Sequence, residues 1–254
     1  MSKLPIIFFV VIFSVLNGCS NAKGVFLLLP ETNGLVEIEK DVYIDESAND
    51  ENRRKLSEAV IFARDAIEHH YGSVESRPTI HACISVECYR RFGGNTEIAK
   101  VFGNYILLSP QGFNWHFIAH EWSHAEMLKR LTITGWLNLP QWFDEGVAVA
   151  ISEAPEHSEA HYNELSILGV KVPTQNEIYA CNSLSDWSEA IRSYGDHLNP
   201  KRELNNEKKL HVMYSSVGHE VRPWLIKNGS SGLLELILRV NEGESTQAVY
   251  ESLR

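Results

Sequence analysis

The 254-residue chain is poor in basic charge: 23 Lys and Arg face 33 Asp and Glu, for a formal net charge of -10. The acidic residues are spread along the chain, which opposes general affinity for nucleic-acid phosphates or anionic lipid and leaves soluble partners or peptide substrates as the better match. A Pro/Gly/Ser-rich linker, a long charge run and an internal repeat are all lacking. The chain therefore reads as one domain with an insertion rather than as two cores. With 44% hydrophobic and 22% charged residues, it also lacks the composition of a disordered protein. Cysteine is scarce, and the four present, Cys19, Cys83, Cys88 and Cys181, follow no common zinc spacing.

The first eighteen residues differ from the rest. Lys3 precedes an apolar run from Leu4 to Leu16, and Asn17-Gly18-Cys19 follows. As a helix this run rises only about 20 Å against a hydrocarbon core of about 30 Å, so it reads as an export signal rather than a membrane span. Its ending resembles the lipobox of bacterial lipoproteins, which implies cleavage before Cys19 and lipidation of that cysteine. Ser20 resembles the residue that directs such proteins to the outer membrane of a two-membraned cell, so the expected location is the cell envelope. An ordinary cleaved signal with an incidental cysteine is the alternative. In an exported protein Cys83 and Cys88 could close a small disulfide loop and leave Cys181 unpaired; a second metal site with His81 stays open beside that reading.

An α+β fold follows from the order of patterns. Val25–Leu29 and Leu35–Glu39 are short β-rich runs broken by Pro30 and Asn33-Gly34, which suggests a hairpin or paired edge strands. Leu56, Ala59, Val60, Ala63 and Ile67 recur at three and four, predicting an amphipathic helix over 51–70 closed near Gly72. Thr79–Ser85 and Tyr105–Leu108 read as strands. Ser109-Pro110 reads as a helix opening, with helical periodicity from Phe113 to Leu131. Gly135 breaks that pattern, and Leu139-Pro140 leads into a second helix from Trp142 to Ser152. Residues 153–210 turn polar, like an insertion or lid with one helix near Leu184–Tyr194. Two helical stretches, Leu233–Val240 and Thr246–Leu253, close the chain.

The chemistry concentrates in His120-Glu121-Trp122-Ser123-His124. Residues four apart share a helix face, so both imidazoles can reach one ion, while Glu121 is near enough to take a proton from a water that the ion activates. A catalytic zinc site keeps three protein ligands and one open position, so a third donor is needed. Trp142-Phe143-Asp144-Glu145-Gly146 lies about twenty residues on, enough chain for a turn and an antiparallel return. An HExxH string alone can arise by chance. The pair of motifs resembles the gluzincin metallopeptidases, specifically their peptidase MA-like branch, over roughly Tyr105–Ser152 and more loosely over Val212–Leu253.

That resemblance implies a zincin-like single domain spanning residues 19–254 and a Zn2+ ion held by His120, His124 and Glu145. It implies peptide-bond hydrolysis by metal-activated water with Glu121 as general base. It further implies that Tyr214 hydrogen-bonds the oxyanion, with His211, His219 and Arg222 competing for that role. Tyr105–Leu108 is expected to accept an extended peptide as an added edge strand. Gly146 is expected to let its helix approach the HExxH helix, with Trp142 packed between them. Asp144 reads as complementing the helix start, more than as a hydrogen-bond partner of a ligand histidine. His116 reads as a neighbour of the metal rather than a ligand; His157 and His161 receive no role. A lipid-anchored zinc-binding scaffold without turnover is the alternative function, and a hydrolase of cell-wall cross-links shares the chemistry.

Lipidation at Cys19 has a direct test. Cys19→Ser should move the protein from the membrane to the soluble fraction of a cell lysate; unchanged membrane association would reject the anchor.

Overall fold

The computed structural model describes residues 25–194 and 210–254. The expected export signal with Cys19, and positions 195–209 of the 153–210 segment, lie outside the described residues. Among the described residues no helix is long and apolar enough to cross a membrane.

Five short strands form one mixed sheet, in an α+β arrangement. β1 (Leu35–Glu39) turns back antiparallel into β2 (Val42–Asp45). β3 (Thr79–Ala82) and β5 (Tyr105–Leu108) continue the sheet in parallel, and β4 (Ala99–Phe102) closes it antiparallel to β5, giving the order β1-β2-β3-β5-β4. Two expectations need correction. Val25–Leu28 is a 3-10 helix, not the hairpin partner of β1. The Leu35 N–H bonds back to the Pro30 carbonyl at 3.1 Å and Gly34 takes φ 86°, so the chain curls here instead of extending. Tyr105–Leu108 is not an edge, because β3 and β4 pair with both of its sides. Gly103-Asn104 is a two-residue hairpin loop, and the strand preceding it, Ala99–Phe102, is the edge on this side of the sheet, with β1 at the other end.

Alternation along the strands gives the sheet two apolar faces. Ile44, Ile80, Ile106 and Leu108 enter the main core, where they meet α1 (Asp50–Tyr71) and α3 (Trp115–Arg130). Leu35 and Leu107 point the other way, toward Leu27, Phe92 and a disulfide between Cys83 and Cys88. That bond ties β3 to α2 (Val86–Arg91) and removes the second-metal reading. His81 is fully buried against the Tyr43, Phe92 and Tyr105 rings, and burial pushes its pKa down to about 4. Cys181 remains a buried thiol.

α1 begins at Asn49, whose side chain accepts from the Asn52 N–H, and stops at left-handed Gly72, with the predicted apolar positions buried. α3 starts later than Ser109-Pro110 suggests. The Ser109 N–H extends the ladder to the Ile98 carbonyl at 2.9 Å, and Asn114 is the residue that caps the helix. Gly135 lies inside α4 (Ile133–Asn138) rather than ending a helix. A Cβ there would collide with Asn241, whose side chain accepts from the Thr132 N–H at 2.7 Å.

α5 (Gln141–Ser152) is buried except at Gln141 and Asp144. Its opening residue Pro140 offers no side-chain cap. The carbonyls of Asn182 and Cys181 accept from the Gln141 and Trp142 N–H groups instead. The 153–210 segment therefore helps to hold the site's scaffold. Among its described residues the helices are α6 (Glu159–Ile167), α7 (Gln175–Tyr179) and α8 (Leu184–Ser193), and Ile178, Trp187 and Ile191 join the main core.

The chain closes with α9 (Val212–Asn241), which is broken at Gly229 (φ 60°, ψ -165°), and α10 (Thr246–Leu253). Gly146 serves the approach of α9, not of α3: a Cβ there would lie 2.4 Å from Val221 Cγ2, and one on Gly218 would lie 2.6 Å from Val149 Cγ1. Each helix uses a glycine to admit the other's valine. Trp142 packs on Tyr179 and Tyr250, at ring distances of 4.6 and 5.3 Å.

The far end of α3 is anchored by a buried carboxylate. Glu126 is 0% exposed and accepts from the Glu75 N–H, the Ser76 N–H and hydroxyl, and Arg130 Nε, all within 2.8 Å. Glu126→Ala would leave the Glu75 and Ser76 backbone donors without an acceptor and take from Arg130 its buried carboxylate, leaving it Glu75 and Ser73, and should cost about 3–5 kcal/mol in urea denaturation. Glu58→Ala, which breaks an exposed pair with Arg54, should cost under about 1 kcal/mol. Similar losses in the two variants would contradict the anchoring role.

Candidate functional site

α3 and α5 each contribute to one cluster. His120 and His124 stand one turn apart on α3, with their Nε2 atoms 3.3 Å from each other. Glu145 on α5 directs Oε2 between them, 3.4 Å from His120 Nε2 and 3.9 Å from His124 Nε2. One ligand atom from each residue lies within 4.8 Å of the others, a group able to hold a metal ion. The other oxygen, Glu145 Oε1, accepts from Gln141 Nε2 at 3.0 Å. Oε2 is buried and makes no well-formed hydrogen bond. A buried carboxylate oxygen left to face two imidazole nitrogens fits a cation at their centre.

Asp144 takes the role that the sequence reading ranked second. Its Oδ2 accepts from His124 Nδ1 at 2.9 Å, which leaves the lone pair of Nε2 turned inward. Three carboxylates thus surround two imidazoles, and the field favours positive charge. Burial alone would lower the His124 pKa, but the Asp144 charge and hydrogen bond, with Glu145 and Glu121, push it up to about 10. Burial raises Glu145, yet the adjacent His120, the His124 charge and the Gln141 amide outweigh it and leave the carboxyl below its usual range. A cation held here would compete with the proton for His124 Nε2.

Glu121 follows His120 but lies toward β4. Burial pushes its pKa up; His120 and His124 pull it down, Glu145 raises it, and a hydrogen bond from the Val101 backbone lowers it. The Ile98 carbonyl faces β5, so ladder alternation turns the N–H and C=O groups of Ala99 and Val101 outward. A cleft follows this free edge. Its two lobes, of about 180 and 620 Å³, share Glu97, Ala99, His120, Glu121 and Tyr214.

Tyr214 therefore lies at the site, its ring 6.3 Å from that of His120, stacked on His157 and edge-on to Trp187. Of its competitors, His211 lines the smaller lobe and meets His157 at 3.2 Å. His219 and Arg222 are engaged with Glu159 and line neither lobe. His116 Nδ1 donates to the Ser152 carbonyl at 2.5 Å and joins α3 to α5 as a neighbour of the cluster. Trp122 and Ser123 face away, toward Ser76 and Tyr71. Sequence reasoning missed Gln141 and β4, and it gave His157 no part. Gln141 was within reach, since it precedes Glu145 by one helical turn, and Gly103-Asn104 marked a hairpin whose first strand is β4. His157 comes to Tyr214 through tertiary packing alone.

The metal role predicts separable losses in a titration against a chromophoric chelator. Glu145→Ala should abolish tight divalent-ion binding, and Asp144→Asn should weaken it by about 10- to 100-fold; unchanged affinity in Asp144→Asn would contradict its orienting role. Comparison with protein-family models, with curated proteins and with solved structures returned no match, so the site's own geometry carries its interpretation.

Proposed function

We propose that the chain is a zinc-dependent peptidase with a zincin-like fold, of the gluzincin, peptidase MA-like kind, exported and lipid-anchored through Cys19. The observation that carries this reading is the aim of Glu145 Oε2 at two imidazole nitrogens, beside the Glu121 carboxyl and a free strand edge. Donors about 2.0–2.1 Å from a tetrahedral ion stand about 3.4 Å apart, close to the observed spacings, and two nitrogens with one carboxylate suit zinc. A bound zinc ion supplies Lewis acidity, lowering the pKa of a water in its open position toward about 7 and polarising a substrate carbonyl.

The chain's own residues do the rest. Ala99, with its outward N–H and carbonyl, and the Val101 carbonyl offer main-chain partners to an extended peptide, while the Val101 N–H is taken by Glu121. Such pairing reads backbone rather than side chains, which suits peptide bonds as the target. Glu121, raised in pKa by burial, accepts the proton of the attacking water and delivers it to the departing amine as the C–N bond breaks. Asp144 holds the His124 ring in its orientation. Tyr214, beside His120, is the donor for the oxygen on which negative charge develops.

Glu121→Gln should retain full zinc content and lose about 10²- to 10⁴-fold in kcat on a broad peptide library. Tyr214→Phe should lower kcat by about 10²-fold with zinc content unchanged. Undiminished turnover in Glu121→Gln would reject the base. A zinc-loaded wild type that cleaves nothing would favour the scaffold reading.

A further inference from the structure

The two lobes of the cleft differ in how far their apolar surface is open to water. The smaller is lined by Ile98, Phe117 and Ala154, half-buried or buried, beside Thr96, Glu156 and three histidines besides the shared His120. The larger gathers Leu128 from the last turn of α3, Trp136 from α4 and Leu184 from the start of α8, together with Leu131 and Leu139. Three of these are exposed large apolar side chains, at 46%, 58% and 69% for Leu128, Trp136 and Leu184, and no such residue lines the smaller lobe. Three separate helices converge to hold apolar surface open to water on one side of the reacting centre. Converging exposed apolar surface of this kind marks a contact site.

Strand polarity says which side. β4 runs from Ala99, at the smaller lobe, toward Gly103, which lines the larger one. A peptide added to its outer edge in antiparallel register, the stronger pairing, runs the opposite way. Residues before the scissile bond then lie beside Lys100–Gly103 and the larger lobe with its exposed apolar side chains, and residues after it beside Thr96 and the smaller one. We infer that the larger lobe is a recognition pocket for a large apolar side chain on the N-terminal side of the cleaved bond, an inference that rests on the peptidase reading.

Two measurements test it. Zinc-loaded wild type is given a broad peptide library and the cleaved bonds are read by mass spectrometry, while Glu121→Gln is probed for binding on an array of the same peptides. Both should favour Leu, Ile, Met or Phe before the bond by on the order of tenfold. Leu184→Asp and Trp136→Ala should erase the preference and Leu184→Met should retain it. Ile226→Asp, which changes an exposed α9 residue outside the cleft, should leave it intact. Cleavage without this preference, or with it displaced after the bond, overturns the pocket and spares the peptidase reading. Apolar selection by Glu121→Gln with no wild-type cleavage sustains the pocket and rejects turnover; neither cleavage nor selection rejects both. If Leu184→Asp splits a dimer while the preference persists, the lobe is a self-contact and the inference falls.

Discussion

The site depends on holding one buried helix at a set distance from another. α5 carries Asp144 and Glu145 on the side facing α3, and both carboxylates reach histidines 20 to 25 positions away in the chain. A small rotation of α5 would withdraw them. Its opposite side is locked against α9 by the Gly146–Val221 and Gly218–Val149 contacts, where substituents of even one carbon would collide. Its first N–H groups are tied to Cys181 and Asn182, so three distant parts of the chain fix one helix.

That precision has an electrostatic cost. Glu121, Asp144 and Glu145 are gathered around two imidazoles in a poorly solvated place, and burial alone opposes their charges. The elevated His124 pKa shows how the fold answers: positive charge on or between the histidines relieves the carboxylates. A divalent cation provides more of it than a proton does, so binding and stability are linked at this cluster. The opposite end of α3 shows the same logic completed within the protein, because Arg130 and backbone donors fully satisfy Glu126. One buried carboxylate is closed off and structural; the other keeps an oxygen turned to its imidazoles.

The sheet matters to the site through its edge. β4 is short and, among the described residues, pairs only with β5, and Glu121 bonds to its outer side through Val101. The Glu121 carboxyl and the strand edge are thereby held together. On the other face, the Cys83–Cys88 disulfide, His81 and their aromatic neighbours form a second apolar layer that keeps β3 and β5 in place behind the edge.

Local pattern was legible wherever a short-range rule decides the outcome. The spacing of four between His120 and His124, the small-residue run after Glu145, the apolar period of α1 and its stop at Gly72 all follow from helix geometry, which depends on neighbours in sequence. Choices between partners were not legible. Whether Asp144 faces a histidine or the helix end, which helix Gly146 admits, which strand is left as the edge, and what surrounds Tyr214 each depend on residues far away in the chain. The amino-acid sequence by itself determined the ligand types, their helical spacing and the amphipathic elements. Only the tertiary structure decided the distance between α3 and α5, the free edge of β4 and the apolar lobe beside it, because these arise from packing between elements, whose contacts leave no periodic trace along the chain.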